Sequence, residues 1–351
     1  MEMFLAIVSI LLIISVFLSF IKNDYWVFKI LEYPRLQKLA LIILTGAAWT
    51  FFLPIESRGY QIIIVGLLLS AIYLAYKIWP YTRLARTEIT RVNGSNPETE
   101  IRIFSANVLQ ENKNYDSMLK QIMSSNPDII FLLETNSEWA QAMNELTKDY
   151  PFTLLAPLEN TYGLLLYSRL KLHNPKINFL VKEDIPSVEA VIELPGGQKI
   201  KIWGLHPEPP VPHESLYSTA KDKELMKVAL MARESVQPCI VFGDLNDVAW
   251  SHTTELFRKT SRLLDPRRGR GFYSTFSAHH WYVRYPLDYI FCSEEFGLVE
   301  MKRMPANGSD HFATFTHLAF IKQLANEQEA PKADKDELKE AKEKARQEVN
   351  S

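Results

Sequence analysis

Polar residues able to do chemistry are concentrated in residues 237–247, which read Gln-Pro-Cys-Ile-Val-Phe-Gly-Asp-Leu-Asn-Asp. The apolar part, residues 239–242, is typical of a strand buried on both faces, and Gly243 ends it. Asp244 and Asn246 follow, and residues two apart on an extended backbone point the same way. A carboxylate and a carboxamide directed at one point suit a hard cation or a phosphate oxygen. The plainer interpretation is a capped turn, since Asp and Asn often begin turns and helices.

Other strand-like runs deliver residues of the same chemical type. Strand ends are where a rigid scaffold usually holds catalytic groups. Asp288 is the hardest to explain structurally, because a carboxylate between Leu287 and Tyr289 is costly to bury without a partner. Each of the others has a structural alternative, such as a turn, a helix cap or a buried histidine, but their common placement indicates one site. They are Asn107 after residues 101–104, Glu134 after 129–133, His206 after 200–205, Asp288 within 287–292, and Asp310 and His311 before 312–316.

The elements that must position these residues form a mixed α/β pattern over residues 101–320. Many strands with few intervening helices favour two packed sheets flanked by helices over a doubly wound parallel sheet. Hydrophobic periodicity predicts helices at 116–124, 137–147 and 218–235. Strands are predicted at 101–105, 129–133, 163–167, 190–194, 200–205, 239–242, 287–292 and 312–316.

Three long apolar runs precede this domain, at about residues 1–21, 39–55 and 60–79. Each is long enough to cross a hydrocarbon core of about 30 Å. The first lacks a basic n-region and a cleavage site, which favours a retained transmembrane helix over a signal peptide. The polar turn at residues 56–59 predicts a membrane hairpin, and residues 22–38 predict an interfacial amphipathic helix. A buried helix pair of a soluble protein is disfavoured, because the runs are clustered and nearly free of charge.

Basic residues flank the apolar runs asymmetrically. With three crossings, the first loop and the large domain lie on the same side, and the positive-inside rule places that side in the cytoplasm of a bacterial inner membrane. The basic residues are Lys22, Lys29, Arg35 and Lys38 in the first loop, Arg58 in the hairpin, and Lys77, Arg83, Arg86 and Arg91 after the third run.

The remaining segments are polar. Residues 81–100 contain Asn-Gly-Ser-Asn-Pro and predict a linker. Residues 321–351 are rich in Lys, Glu and Ala and predict a disordered tail or a lone solvated helix. The 351-residue chain has a formal net charge of −2, so composition does not indicate a nucleic-acid binder. Cys239 and Cys292 lie in apolar runs and are expected to be core residues.

The ordered motifs Ser-x-Asn-Val, Leu-Glu-Thr, Gly-Asp-Leu-Asn, Leu-Asp-Tyr and Ser-Asp-His resemble those of the endonuclease/exonuclease/phosphatase (DNase I-like) superfamily. This group includes pancreatic-type DNases, abasic-site endonucleases, inositol-polyphosphate phosphatases and neutral sphingomyelinases. The resemblance covers roughly residues 101–320 and implies an α+β fold, a four-layer sandwich of two mixed β-sheets flanked by helices. With the apolar segments, the chain is similar to membrane-anchored bacterial members.

The resemblance implies a role for each motif residue. Glu134, Asn107 and Asp310 are expected at a Mg²⁺ site, with Mn²⁺ as a substitute, and Asn107 is also a candidate phosphate donor. His311 with Asp288 matches the Asp-His pair that activates water or stabilises the transition state. His206, Asp244 and Asn246 complete the catalytic set, and both His206 and Asp244 remain candidates for the general acid.

A basic loop departs from what these motifs require. Arg267, Arg268 and Arg270 lie among aromatic residues and are candidate substrate-binding groups that would grip a second phosphate, with a solvated basic turn as the alternative.

The expected function is a membrane-anchored Mg²⁺-dependent phosphoesterase that hydrolyses a phosphodiester, phosphomonoester or pyrophosphate bond. Its expected partners are membrane lipid and a phosphate ester, either a lipid-linked phosphate or nucleic acid, and no protein partner is indicated. A membrane-tethered nuclease is the alternative. An inactive membrane scaffold is disfavoured, because no motif residue is missing.

Overall fold

The structure, a computed structural model, describes residues 2–52, 58–94 and 96–349. In chain order, its α-helices are α1 (Glu2–Phe17), α2 (Trp26–Ile30), α3 (Arg35–Phe52), α4 (Arg58–Ile78), α5 (Tyr115–Ser125), α6 (Ser137–Ala142), α7 (Thr219–Glu234), α8 (His252–Ser261) and α9 (Lys335–Arg346). Its strands are β1 (Glu100–Asn107), β2 (Ile129–Leu133), β3 (Phe152–Ala156), β4 (Leu164–Ser168), β5 (Leu172–Asn178), β6 (Ser187–Glu193), β7 (Lys199–Leu205), β8 (Cys239–Asp244), β9 (Asp288–Cys292), β10 (Phe296–Arg303) and β11 (Thr314–Phe320). Short 3₁₀ helices lie at Leu18–Phe20, Trp79–Tyr81, Met143–Lys148 and Lys322–Asn326.

The strands form two mixed sheets. The six-stranded sheet has the order β10-β11-β1-β2-β4-β3, and the five-stranded sheet has the order β5-β6-β7-β8-β9. Within them β1 pairs with β2, and β7 with β8, in parallel, while the other pairs are antiparallel.

The core lies between the two sheets and on their outer faces. Side chains from both sheets meet in the centre, where Phe131 and Phe242 pack edge to face with ring centroids 5.2 Å apart. Helices α5 and α6 cover the outer face of the six-stranded sheet. Helices α7, α8 and α9 cover the other sheet. Strands such as β2 are therefore buried on both faces, which explains their unbroken apolar sequence. Two packed mixed sheets flanked by helices, the fold predicted from the sequence, are confirmed.

The strands that the sequence pattern does not reveal are all at sheet edges. β3 and β10 end the six-stranded sheet, and β5 ends the other. Each has residues that are only partly buried or exposed, so none needs a continuous apolar run. β5, which reads Leu-His-Asn-Pro-Lys-Ile-Asn, even contains a proline, which a sheet edge tolerates.

Helices α1, α3 and α4 pack together through a small apolar cluster. Two helical stretches, Glu2–Phe20 and Arg58–Tyr81, are long and apolar enough to cross a membrane, although one or two such helices are only weak support for membrane insertion. The third span stays a prediction, because the first turn of α3 carries Arg35, Gln37 and Lys38. The predicted hairpin turn lies partly outside the described residues, and its last two residues, Arg58 and Gly59, already belong to α4.

The segment between α1 and α3 differs from the predicted amphipathic helix. Within residues 22–34 the only helix is α2, which has five residues, and residues 35–38 already belong to α3. We call residues 23–35 the juxtamembrane segment. Tyr25 forms a β-bridge with Tyr217, and the Trp26 amide donates to the Leu216 carbonyl at 2.9 Å. Contacts with the domain therefore replace a long helix lying free on a membrane.

Residues 81–100, predicted as a linker, also pack against the domain. Ile89 is fully buried in the core between the sheets. Glu88 pairs with Arg258 and Arg268. The polar composition of this segment serves ion pairs with the domain.

The C-terminal tail is helical but not solitary. Ala341 and Ala345 of α9 are buried against α7 and α8. Lys344 bonds to Asp222 at 2.9 Å, and Glu337 pairs with Lys259 at 2.6 Å. The tail packs on the domain through small apolar residues four positions apart and through ion pairs. The sequence did not predict this packing, because the overall hydrophobicity of the tail is low.

Candidate active site

The ends of neighbouring strands bring the motif residues together. Asn107 is the last residue of β1, and Glu134 follows the parallel strand β2. Asp244 ends β8 and lies opposite Asp288, which begins β9, in the antiparallel register. His206 directly follows β7, the parallel neighbour of β8. The carboxyl ends of β1, β2, β7 and β8 thus meet at one edge of the sandwich.

Gly243 allows the close approach of β7 and β8 at this edge. Its φ is +129°, and a Cβ there would lie 2.1 Å from the Leu205 carbonyl oxygen. Any side chain would therefore separate Asp244 from His206. The Gly-Asp-Leu-Asn motif therefore needs glycine at this position for a steric reason.

Asn107 links the two sheets by hydrogen bonds. Its Nδ2 donates to Glu134 Oε1 at 2.6 Å and to Asp244 Oδ2 at 3.3 Å. Its Oδ1 accepts from the Leu109 amide, and its carbonyl accepts from the Ser309 hydroxyl. In this arrangement the NH₂ group of Asn107 faces the site.

His311 lies between two carboxylates. Its Nδ1 donates to Asp288 Oδ2 at 2.9 Å, and its Nε2 lies 3.5 Å from Asp244 Oδ2. Burial alone lowers the pKa of this imidazole, but Asp288 and Asp244 outweigh it and raise the pKa to about 10. The Asp-His pairing predicted from the sequence is present.

Burial shifts the pKa values of His206 and Asp244 in opposite directions. Burial, and then the nearby His311, lowers the pKa of His206 to about 4, so its imidazole is neutral near pH 7. Burial raises the pKa of the Asp244 carboxyl to about 7. The Nδ1 atom of His206 is buried and has no hydrogen-bond partner.

The site has the donor atoms for a hard cation. Asp310 Oδ1 and Asp288 Oδ1 are buried without a hydrogen-bond partner, and burial raises the pKa of Glu134 to about 7. Oxygen atoms in this condition are stabilised by a cation, so the residues fit a divalent metal.

A second grouping, of ligand atoms from Asp244, Asp288 and His311 within 4.8 Å of one another, also satisfies metal-ligand distances. Within this grouping, His311 Nδ1 is already engaged by Asp288 Oδ2.

These residues line one cavity of about 620 Å³. Asn107, Glu134, His206, Asn246 and Asp310 face it together with His311. Asn246 is held by a 2.9 Å hydrogen bond from its Nδ2 to the Pro207 carbonyl. Asp244 and Asp288 lie behind His311, buried and outside the cavity lining.

The three arginines of the basic loop are not brought to this cavity. Arg267 is buried, forms a 2.7 Å ion pair with Asp265 and packs over the Tyr289 ring. Arg268 pairs with Glu255, and Arg270 donates to backbone carbonyls. Their guanidinium groups fix the loop behind the site, so the expectation that they bind substrate is corrected.

The juxtamembrane segment reaches the site, which sequence reasoning missed. Tyr33 donates from its hydroxyl to the Asn246 carbonyl at 2.8 Å. Ile30, Leu31 and Pro34 line the cavity with it. The mixture of aromatic, apolar and charged residues indicates that this segment contacts another surface. The sequence does not indicate that this surface is the catalytic domain.

The two-sheet fold and a buried acid–imidazole site define a hydrolase of phosphoric esters. The model of the Endonuclease/Exonuclease/phosphatase family matches residues 93–311, and the chain belongs to this family. Its members are phosphoric ester hydrolases and typically depend on a divalent metal.

Solved structures share the fold at low identity. The human Nocturnin catalytic domain with bound sulfate is 17% identical, with 67% of this chain and 97% of that chain covered and a TM-score of 0.52. D. rerio TDP2 complexed with a single-strand DNA product is 17% identical, with 62% and 98% covered and a TM-score of 0.53. An endonuclease/exonuclease/phosphatase family protein from Bacteroides thetaiotaomicron is 15% identical, with 63% and 95% covered and a TM-score of 0.52. No curated protein matches the chain.

Proposed function

We propose that this chain is a membrane-anchored, Mg²⁺-dependent phosphoesterase that cleaves a phosphodiester, phosphomonoester or pyrophosphate bond. The observation that carries the proposal is the single cavity faced by Asn107, Glu134, His206, Asp310 and His311. A phosphate group there meets hydrogen-bond donors on one side and cation ligands on the other. Hydrolysis needs both, because charge develops on the phosphate oxygens.

Glu134 and Asp310 are the residues that would hold the cation, since burial raises the pKa of the Glu134 carboxyl and Asp310 Oδ1 is buried without a hydrogen-bond partner. A bound Mg²⁺ would neutralise phosphate charge. Asn107 donates from its NH₂ group to Glu134 and Asp244, which fits a role in positioning these two carboxylates.

His311 and Asp244 form the proton-handling part of the proposed site. Asp288 fixes the imidazole through Nδ1, so that Nε2 points toward Asp244. Because His311 faces the cavity, we propose that its Nε2–H donates to a phosphate oxygen, while Asp244, buried behind it, stabilises the protonated imidazole. Neutral His206, which faces the cavity, is a hydrogen-bond donor to phosphate in this scheme.

The helical bundle supports membrane anchoring. Only 11% and 22% of the two candidate spans is buried, unlike core helices of soluble proteins. Helix α3 packs against both of them, so we propose that it also spans. The first loop, through Tyr33, and Tyr81, at the end of the last span, both hydrogen-bond to the domain. We therefore propose that the first loop and the domain lie on the same side of the membrane. Lysines and arginines concentrate there, so we propose that the domain is cytoplasmic.

The test is hydrolysis by the full-length protein in detergent micelles, with Mg²⁺ and with a chelator. Substrates are supercoiled DNA, single-stranded DNA, a lipid phosphomonoester and a prenyl pyrophosphate. We expect chelator-sensitive product release that Glu134→Gln reduces by about 10²-fold or more, as when a charge-stabilising group is removed. Glu145→Gln, the same change at an exposed carboxylate of the 3₁₀ helix Met143–Lys148 outside the cavity lining, is the matched control.

Hydrolysis that resists the chelator, or that Glu134→Gln retains, would contradict the proposed site. Inactivity on every substrate would leave the chain without the proposed activity.

A further inference from the structure

One wall of the catalytic cavity comes from the juxtamembrane segment. Ile30, Leu31, Tyr33 and Pro34 face the same space as His311. The wall is fixed to the domain, since Trp250 Nε1 donates to the Glu32 carbonyl at 2.8 Å. The chain that enters and leaves the helical bundle is thus part of the substrate pocket.

Other parts of the cavity lining are also apolar. Pro209, Pro210 and Val211 follow His206, and Val283 and Leu287 line the cavity too. Among the described residues that line the cavity there is no lysine or arginine. A polynucleotide groove needs such cations for phosphates beyond the scissile one. The other polar lining residues include Glu214, which adds negative charge and accepts a hydrogen bond from Tyr162.

The rim of the cavity continues toward the helical bundle. Next to Val283, Trp281 is 82% exposed and Tyr282 is 58% exposed. Gln37, in the first turn of α3, donates to the Tyr282 carbonyl at 3.1 Å. Exposed Trp and Tyr side chains beside the end of an apolar helix are typical of the membrane–water interface. With the proposed membrane anchoring, the mouth of the cavity would lie at the level of the lipid head groups.

We propose that the substrate is an amphiphile, a phosphate ester or pyrophosphate whose apolar chain lies along Ile30, Leu31 and Pro34 and extends toward the bilayer. This inference rests on the proposed phosphoesterase function and names the substrate class of the same site. The catalytic end holds the phosphate, and the juxtamembrane wall removes the first part of the chain from water.

The experiment uses the full-length protein in mixed micelles and compares substrates with matched head groups. The pairs are dioleoyl phosphatidic acid with glycerol 3-phosphate, farnesyl with dimethylallyl pyrophosphate, and phosphatidylglycerol with glycerophosphoglycerol. The pair that is cleaved identifies the bond type. The ratio of kcat/KM for the long-chain substrate to that for the short-chain substrate measures recognition of the chain.

The informative variant is Ile30→Glu, with Ile30→Ser as a milder change, because Ile30 is 42% exposed and its replacement leaves the core intact. We expect a ratio well above one, lowered at least tenfold by Ile30→Glu, mainly through KM. Leu84→Glu is the matched control, because Leu84 is exposed beyond the last candidate span but does not line the cavity. It should keep the ratio, which separates chain recognition from partition into the micelle.

Equal kcat/KM values within every pair, or a ratio that both Ile30 variants keep, would overturn the inference. So would Glu134-dependent cleavage of DNA in preference to all lipids, which leaves the phosphoesterase proposal standing. Absence of any chelator-sensitive cleavage would instead remove the phosphoesterase proposal itself.

Discussion

At the scale of single residues, the site concentrates buried negative charge around one imidazole. Asp244 and Asp288 flank His311, and Glu134 is linked to Asp244 through Asn107. Unpaired buried carboxylates are costly, so the arrangement holds a proton on His311 and favours a cation beside Glu134. The same buried charges are the basis of the proposed phosphate chemistry.

Asp288→Asn tests the positioning of His311. The amide keeps the shape of the carboxylate but removes its charge, so the pKa of His311 falls and Nδ1 loses a strong acceptor. We expect kcat to drop by about 10²-fold or more, the range of acid–base catalysis, while the melting temperature changes little. Steady-state kinetics and thermal unfolding measure the two effects.

The control for this change is Asp116→Asn, the same replacement at an exposed position in the first turn of α5. It should leave kcat at the wild-type value. Full turnover by Asp288→Asn would show that the Asp288–His311 pair is structural only.

At the scale of elements, the tail helix α9 depends on charge. His252 and Lys22 hydrogen-bond Glu340 and lower its pKa to about 2. A carboxyl with a lowered folded-state pKa adds stability above its unfolded pKa, about 4.5, that is lost as the pH falls toward 2. We therefore expect α9 to loosen between pH 5 and pH 3. Because Glu340 is partly exposed, the effect is about 0.2–1 kcal/mol.

Hydrogen exchange of the α9 amides measures this loosening. Glu340→Gln should raise exchange at pH 7 and lose its difference from wild type at low pH. Glu343→Gln, a more exposed carboxyl on the same helix, is the control. A constant difference between Glu340→Gln and wild type at all pH values would contradict the assignment.

Sequence patterns predicted those elements that are buried because their own residues are apolar. Strands β2, β8 and β9 were predictable because all their residues are buried, and β1 and β7 because their later residues are buried. The motif residues at the strand ends predicted the site. The edge strands β3, β5 and β10 were not, because a strand with one solvated side needs no apolar run. The buried ion pairs of Arg267 and the docking of α9 depend on partners far away in the sequence.

At the scale of the whole molecule, the helical bundle and the catalytic domain are joined by more than a tether. Arg35 Nη1 donates to the Trp250 carbonyl, Trp250 Nε1 to the Glu32 carbonyl, and Tyr33 to the Asn246 carbonyl. Lys29 adds a 3.2 Å ion pair with buried Asp222. These bonds converge on residues 246–250, directly after Asp244. The juxtamembrane segment therefore braces the loop that carries catalytic groups.

A chain that begins at Tyr81, without the helices and the juxtamembrane segment, tests this brace. Removal of the juxtamembrane segment breaks three hydrogen bonds to residues 246–250, each worth about 1 kcal/mol. At about 2–4 °C per kcal/mol for a domain of this size, the melting temperature should fall by about 6–12 °C. Turnover of water-soluble phosphate esters should fall as well, because residues 244–250 lose the hydrogen bonds that hold them in place.

A peptide of residues 23–35, added in trans, should restore part of both the melting temperature and the turnover. The same peptide with Phe in place of Tyr33 and Ala in place of Arg35 is the control, since it retains the apolar wall but not two of the bonds. If the shortened chain melts and turns over like the full-length protein, and the peptide has no effect, the juxtamembrane segment is only a connection. The opposite result would mean that the helical bundle and catalytic competence are coupled in one structure, because the segment that connects α1 to α3 also holds the loop after Asp244.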